Sequence, residues 1–248
     1  MTGKKRLKRS SAPGFLPIPR KKFKWTVKPL PGPHPAGEAI PLGILLREVL
    51  RLAENLREVK FILKQGHVRV DEKVVKDHRF PVGLMDVIEF MPLEKFYRML
   101  PTAKRIVYPF EIAGTEKKIK LCKVNGKSIL KEGLLQITLH DGRSAILGDE
   151  TKLKKISLGD VILYNTEEKK IDDYIPMENG VLALITGGQR RGLTGVVQDT
   201  IHPKKMGPKI ISVKLSSGEV IKTIEDYIFP IGREKPLIKL PNVESAER

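Results

Sequence analysis

Residues 55–75 read NLREVKFILKQGHVRVDEKVV. A break at Glu54-Asn55 precedes a helix whose apolar positions are Val59, Ile62 and Leu63. Arg57, Lys60 and Lys64 fall at i, i+3 and i+7, so they share a different face. Gly66 is a helix stop, His67-Val68-Arg69-Val70 alternates like a strand, and Val74-Val75 begins its partner. The stretch is therefore a basic helix followed by a short hairpin. The residues between the strands are Asp71-Glu72-Lys73. A type I′ turn needs positive φ at both central positions, which Glu tolerates poorly. A different turn, or strain, is expected there.

Upstream, Pro41 is placed to open a helix, and Leu42, Leu45, Leu46, Val49, Leu52 and Leu56 follow at helical spacing. Arg47 and Arg51 lie off that stripe. Downstream, Pro81-Val82-Gly83 leads into a strand at Asp86–Phe90. The order is helix, helix, hairpin, turn, strand. Residues 91–110 read as a mixed connection with a short helix around Leu93–Leu100.

From Lys117 to Ile175 the pattern is mostly strands with Gly/Asp turns, as at Leu134–Leu139, Asp141-Gly142 and Ser144–Leu147. Leu158–Leu163 echoes Leu84–Glu89, and Ile171–Ile175 echoes Ile224–Ile228. Recurring turn-into-strand chemistry is the expected cause, rather than a repeat fold. The acidic pairs Asp172-Asp173 and Glu225-Asp226 read as solvated turn carboxylates.

Residues 180–197, GVLALITGGQRRGLTGVV, form two strands joined by a basic glycine-rich loop. Val181, Ala183 and Ile185 alternate. Gly187 and Gly188 permit the bend, Gly192 and Gly195 the return, and Gln189, Arg190 and Arg191 occupy the exposed tip. A phosphate-binding P-loop is excluded, because Leu193-Thr194 stand where Lys and Ser/Thr are needed. Residues 180–230 carry several short strands with glycine turns, the pattern of a small barrel. The end, IGREKPLIKLPNVESAER, reads as a strap and a loose tail.

The chain has 248 residues, a formal net charge of +17 and 40% hydrophobic residues. Ten of its cations precede the first acid, Glu38: Lys4, Lys5, Arg6, Lys8, Arg9, Arg20, Lys21, Lys22, Lys24 and Lys28. Over half of the charge excess thus sits in a Pro/Gly-rich segment that reads as an extended arm, mobile until it meets a polyanion. Phe15, Phe23 and Trp25 interrupt its basic runs. Cations interleaved with aromatics suit RNA, with charges for phosphates and rings for bases. A lone cysteine, Cys122, excludes an internal disulfide and a zinc ribbon, and the five histidines show no metal-ligand spacing. No apolar run approaches the ~18 residues of a membrane span. A signal peptide is not expected, and the chain reads as cytoplasmic. Neither a nucleophile–base pair nor a cofactor loop is visible, so no enzyme activity and no cofactor are expected.

Residues 55–75, with Asp86-Val87-Ile88, resemble the S4-type RNA-binding domain, and residues 180–197 resemble a KOW motif. With Lys4–Arg9, Ala12-Pro13, Gly32-Pro33-His34 and Lys235–Pro241, the order of parts is similar to the archaeal and eukaryotic small-subunit ribosomal protein S4e family, more archaeal in composition. The resemblance implies a structural subunit of the small ribosomal particle, bound to ribosomal RNA beside neighbouring ribosomal proteins. The expected fold is multidomain α+β. It comprises a basic extended tail (1–37), a helix-pair-plus-hairpin RNA-binding module (38–98), a central β domain (99–175), an SH3-like KOW barrel (176–231) and a C-terminal strap (232–248). The expected RNA contacts are the tail cations from Lys4 to Lys24, with Arg47, Arg51, Arg57, Lys60, Lys64, Gln65, His67, Arg69 and the loop Gly187–Gly192. Two other readings stay open: an RNA-modifying enzyme, and a transcription or translation factor, each using the same modules.

Overall fold

The computed structural model describes residues 6–147, 155–201 and 207–240. Lys4, Lys5 and the tail 241–248 lie outside them. The chain divides into two compact units, Met1–Leu100 with Val107–Lys117, and Pro101–Ile106 with Lys118–Arg248.

In the first unit, the segment expected to be a mobile arm has a folded interior. Leu7–Lys8 pairs antiparallel with Trp25–Thr26. Ala12, Leu16, Ile18 and Val27 are buried. Arg9, 2% exposed, donates to the carbonyls of Trp25 and Pro19. Arg20 donates to those of Arg9, Ala12 and Pro13. A guanidinium has five N–H groups, so one side chain can tie several turns of a proline-rich segment together. Arg20 adds a second donor to the Arg9 and Pro13 carbonyls, which already accept from the N–H groups of Ala12 and Leu16. Both arginines were expected to contact RNA. Arg9 is buried in its own segment, whereas Arg20 makes its intrachain bonds from an exposed position.

The first helix is Leu42–Ile44, continued by a wide π turn at Leu45–Val49. Leu42, Ile44, Leu45 and Leu46 are fully buried. Arg51 ends it at φ 53°, so Leu52 lies past the end and Leu56 opens the next helix. Asn55 caps that helix, Leu56–Lys64, by accepting from the N–H groups of Arg57 and Glu58. Glu58 reaches back to the N–H of Glu54 at 2.8 Å, close to a capping box. Val59 and Leu63 are buried, and Gly66 stops the helix at φ 78°.

A five-stranded antiparallel sheet follows, in the order 73–74, 68–70, 87–90, 95–100, 108–112. The expected helix at Leu93–Leu100 is instead the strand Lys95–Leu100, entered through Glu94 at φ 49°. Its aromatic and apolar residues Phe96, Tyr97, Met99 and Leu100 fit a sheet, and pairing with Val87–Phe90 overrides their helical spacing. The hairpin turn is the strained alternative. Asp71 and Glu72 both have positive φ, 48° and 62°, and Val70 pairs with Lys73. Tertiary bonds hold it, because Asp71 exchanges two hydrogen bonds with the backbone of Val87, at 2.9 and 3.0 Å.

The second unit holds two five-stranded sheets. One runs 144–147, 135–139, 119–129, 161–165, 170–175 around Cys122, Val124, Ile137, Leu139 and Ile162. The other runs 220–224, 210–215, 194–201, 182–185, 228–232 around Ala183, Ile185, Val197, Ile211 and Val213. A 3-10 turn, Glu225–Tyr227, carries the chain between that sheet's two edges. Both sheets lie in this one unit. Lys123 leaves the first sheet and donates to the carbonyls of Glu225, Asp226 and Ile228 beside the second. Ile238, 3% exposed, ties down the start of the C-terminal strap.

One sequence echo is structural. Met85 and Gly159 both take positive φ, and the next residues, Asp86 and Asp160, accept the N–H three residues back, from Gly83 at 2.9 Å and Ser157 at 2.8 Å. The other is not, because Lys170–Ile175 is a strand and Glu225–Tyr227 a 3-10 turn.

Candidate nucleic-acid interface

The cap at Asn55 and the burial of Val59 and Leu63 fix how the second helix turns its polar face outward. Arg57, Lys60, Lys64 and Gln65 are all exposed. Among the described residues, none of the three cations enters an ion pair. Phe61, 63% exposed, stands among them and was missed as a site residue because its type reads as core. His67 is half-buried. Arg69 is not a free cation: it lies 3.8 Å from Glu72 and 3.7 Å from Glu89, both of which also pair with Lys117.

Beside this face, the N-terminal segment and the helix pair enclose a cleft of about 1080 Å³. One wall carries Arg6, Lys22, Phe23, Trp25 and Lys28, and the other Arg47, Arg51, His78 and Arg79. Two groups of candidate residues far apart in sequence thus meet in one place. Phe23 and Trp25 are 60% and 41% exposed. Cations crowd both rings, Lys22 and Arg9 at Phe23, Lys24 and Arg6 at Trp25, between 5.1 and 5.8 Å from the centroids. Lys8 and Lys21 are exposed on the same segment. Arg47 shares its charge with Glu48 at 2.8 Å, and Arg79 is held by Asp77 at 3.0 Å. Burial pushes the His78 imidazole below its ordinary pKa, and nearby Lys60 pushes it further. Both effects favour the neutral imidazole, and Lys60 links the helix face to the cleft electrostatically.

The third basic feature is the loop from Gly187 to Gly192. Gly188 and Gly192 have φ of 76° and 84°. A Cβ on Gly192 would also lie 3.0 Å from the Thr102 backbone. Gly187 touches the ring of Tyr227, and any side chain there would drive into it. Thr186 fixes the same residue by donating its N–H and hydroxyl to the Tyr227 carbonyl, at 2.8 and 3.1 Å. Tyr227, 40% exposed, thus rests on the diglycine beside Gln189. It too was missed, since Gly187 read as part of the bend rather than as a seat for a ring. Arg190 pairs with Glu219 at 2.9 Å on the surface, and the Nε of half-buried Arg191 has no hydrogen-bond partner among the described residues.

These surfaces offer cations and exposed rings, with no group of His, Cys, Asp or Glu fit to hold a metal among the described residues. No described helix is long and apolar enough to cross a membrane.

Comparison with known proteins gives the lineage. Residues 1–37 match the RS4NT (NUC023) domain, 45–88 the S4 domain and 93–171 the Ribosomal family S4e. The chain is 42% identical to small ribosomal subunit protein eS4 of Ignicoccus hospitalis, over 96% of each. It is 43% identical to that of Pyrobaculum arsenaticum, over 94% of this chain and 98% of the relative. The crystal structure of the 30S ribosomal protein S4e from Thermoplasma acidophilum superimposes with a TM-score of 0.67 at 32% identity, covering 79% of this chain and 95% of that one. With near full-length identity of this order and the family's domains in sequence, the chain belongs to the S4e family of small-subunit ribosomal proteins.

Proposed function

We propose that this chain fixes folded ribosomal RNA of the small subunit through three basic surfaces: the helix face of Arg57, Lys60 and Lys64, the cleft beside it, and the Gly187–Gly192 loop. As an S4e protein it is a structural constituent of the small ribosomal subunit in the cytoplasm, and not an enzyme. The single observation that carries the RNA reading is the helix face, where three cations stand on a capped, rigid helix with no acidic partner among the described residues. Phosphates are the ligand such a face suits, and contact is mostly to backbone. The functional parts are taken as the N-terminal segment 1–37, the module 38–98, the central sheet 99–175, an SH3-like KOW barrel 176–231 and the strap 232–248. Neighbouring ribosomal proteins are the expected protein partners.

Competition binding tests this. The purified chain should prefer small-subunit over large-subunit ribosomal RNA at near-physiological salt. Equal competition by the two would contradict it.

A further inference from the structure

The cleft in the first unit holds more than a basic surface needs. Phosphate attraction requires only cations, yet two large aromatic side chains stand at the mouth, 60% and 41% exposed, in a segment that buries Ala12, Leu16, Ile18 and Val27. The Trp25 backbone is fixed. Trp25 pairs with Lys8, and its carbonyl takes the buried Arg9 guanidinium at 3.1 Å. The indole is therefore presented from a rigid support, as a recognition group must be. Seven Lys and Arg line the cleft against two Glu, so the ligand is anionic. Exposed aromatic rings with cations over them, 5.1 to 5.8 Å from the centroids, match a nucleotide, whose base takes the place of an exposed cation on the ring while its phosphates meet the displaced charge. A base inside a helical stem has no free face to offer, which points to an unpaired one.

We propose that this cleft seats an unpaired RNA nucleotide, its base against Trp25 with Phe23 beside it, and its flanking phosphates against Arg6, Lys22, Arg47 and Arg51. This rests on the RNA-binding reading and narrows it, because one surface of the protein then reads single-stranded RNA while the helix face tracks backbone.

Trp25 is the sole tryptophan of the chain, so its fluorescence reports on this cleft alone. The full chain is titrated at low salt with three RNAs of equal phosphate count: single-stranded oligoadenylate, an abasic strand and a duplex. Binding is followed separately by anisotropy of a label on each RNA. Oligoadenylate should quench Trp25 strongly, while the abasic strand and duplex bind and leave it nearly unchanged. Trp25→Leu should weaken oligoadenylate about tenfold without changing the abasic strand, and Trp25→Phe should restore most of the loss. Oligoadenylate that binds without quenching, or equal quenching by the abasic strand, overturns the proposal while leaving RNA binding intact. Failure of all three RNAs to bind overturns the broader reading with it.

Discussion

His34 and Asp86 meet in the interior of the first unit, with imidazole Nε2 3.0 Å from carboxylate Oδ1 and both residues at most 5% exposed. The other oxygen of Asp86 accepts the N–H of Gly83 at 2.9 Å. One buried carboxylate thus ties its own turn and the N-terminal segment together. The backbone adds to this, since Leu30 donates to the Arg79 carbonyl at 2.9 Å. Residues 6–37 are part of the fold.

Removing that tie should be costly. Asp86→Ala leaves buried donors without an acceptor and should destabilise by about 3 kcal/mol. Deleting residues 1–37 should lower the melting temperature measurably, on the order of 4–8 °C per kcal/mol lost in a domain of this size. Calorimetry of the deletion checks it. An unchanged transition would restore the reading of a loosely attached arm.

On the helix, replacing Arg57, Lys60 and Lys64 with Gln should leave the fold intact, because exposed changes seldom exceed about 0.5 kcal/mol each. If each cation meets one phosphate, the slope of log affinity against log salt should fall by roughly 2–3. A salt series with wild type and triple variant side by side measures it, and an unchanged slope would remove this face from the interface.

The loop separates conformation from charge. Gly192→Val faces φ 84° and the Thr102 backbone and should cost about 1 kcal/mol or more. Arg190→Ala loses an exposed pair with Glu219 worth under about 1 kcal/mol, so stability should hold while RNA binding weakens. Glu219→Gln should instead tighten binding, by freeing Arg190. Thermal melts and RNA titrations of the three variants decide this. The loop assignment fails if the glycine change is harmless and the arginine change unfolds the protein.

The central sheet supplies a pH dependence. Burial alone would raise the Asp141 pKa, but the charges of Lys120, His140 and Arg143, with the bond to Lys120, hold it below the ordinary carboxylate value. Lys120 Nζ stands 3.1 Å away, both side chains nearly inaccessible. The unfolded chain therefore binds this proton more readily than the folded one. The stability it contributes is present above the unfolded value of about 3.9 and lost as pH falls through the lower folded value. Asp141→Asn strands the buried lysine and should cost about 3–5 kcal/mol at neutral pH. Denaturant titrations at neutral pH and near pH 3 should show the gap between variant and wild type shrinking in acid.

The sequence made the second helix legible because its buried stripe, cationic face and glycine stop are all local features. The same holds for the strands on either side of Gly187–Gly192. Long-range bonds were not legible. Nothing near Arg9 or Arg20 indicates that these guanidiniums serve backbone carbonyls in their own segment. Asp71-Glu72 adopts positive φ because Val87, distant in sequence, holds it there. Lys95–Leu100 became a strand because an open edge at Val87–Phe90 needed a partner. In the candidate site, spacing identified Arg57, Lys60 and Lys64 together. The meeting of Arg47 and Arg51 with Lys22 and Trp25 depends on how the N-terminal segment packs, which no local pattern records.

The central claim is that this chain works as a fixed part of the small ribosomal subunit. Sucrose-gradient sedimentation of a lysate of the source cells, probed with an antibody to the chain, tests it most directly. The chain should sediment with free small subunits, whole ribosomes and polysomes, and should move to the top of the gradient when ribonuclease digests the particles. A chain found mainly at the top of an untreated gradient, with intact small subunits lower down lacking it, would contradict the claim.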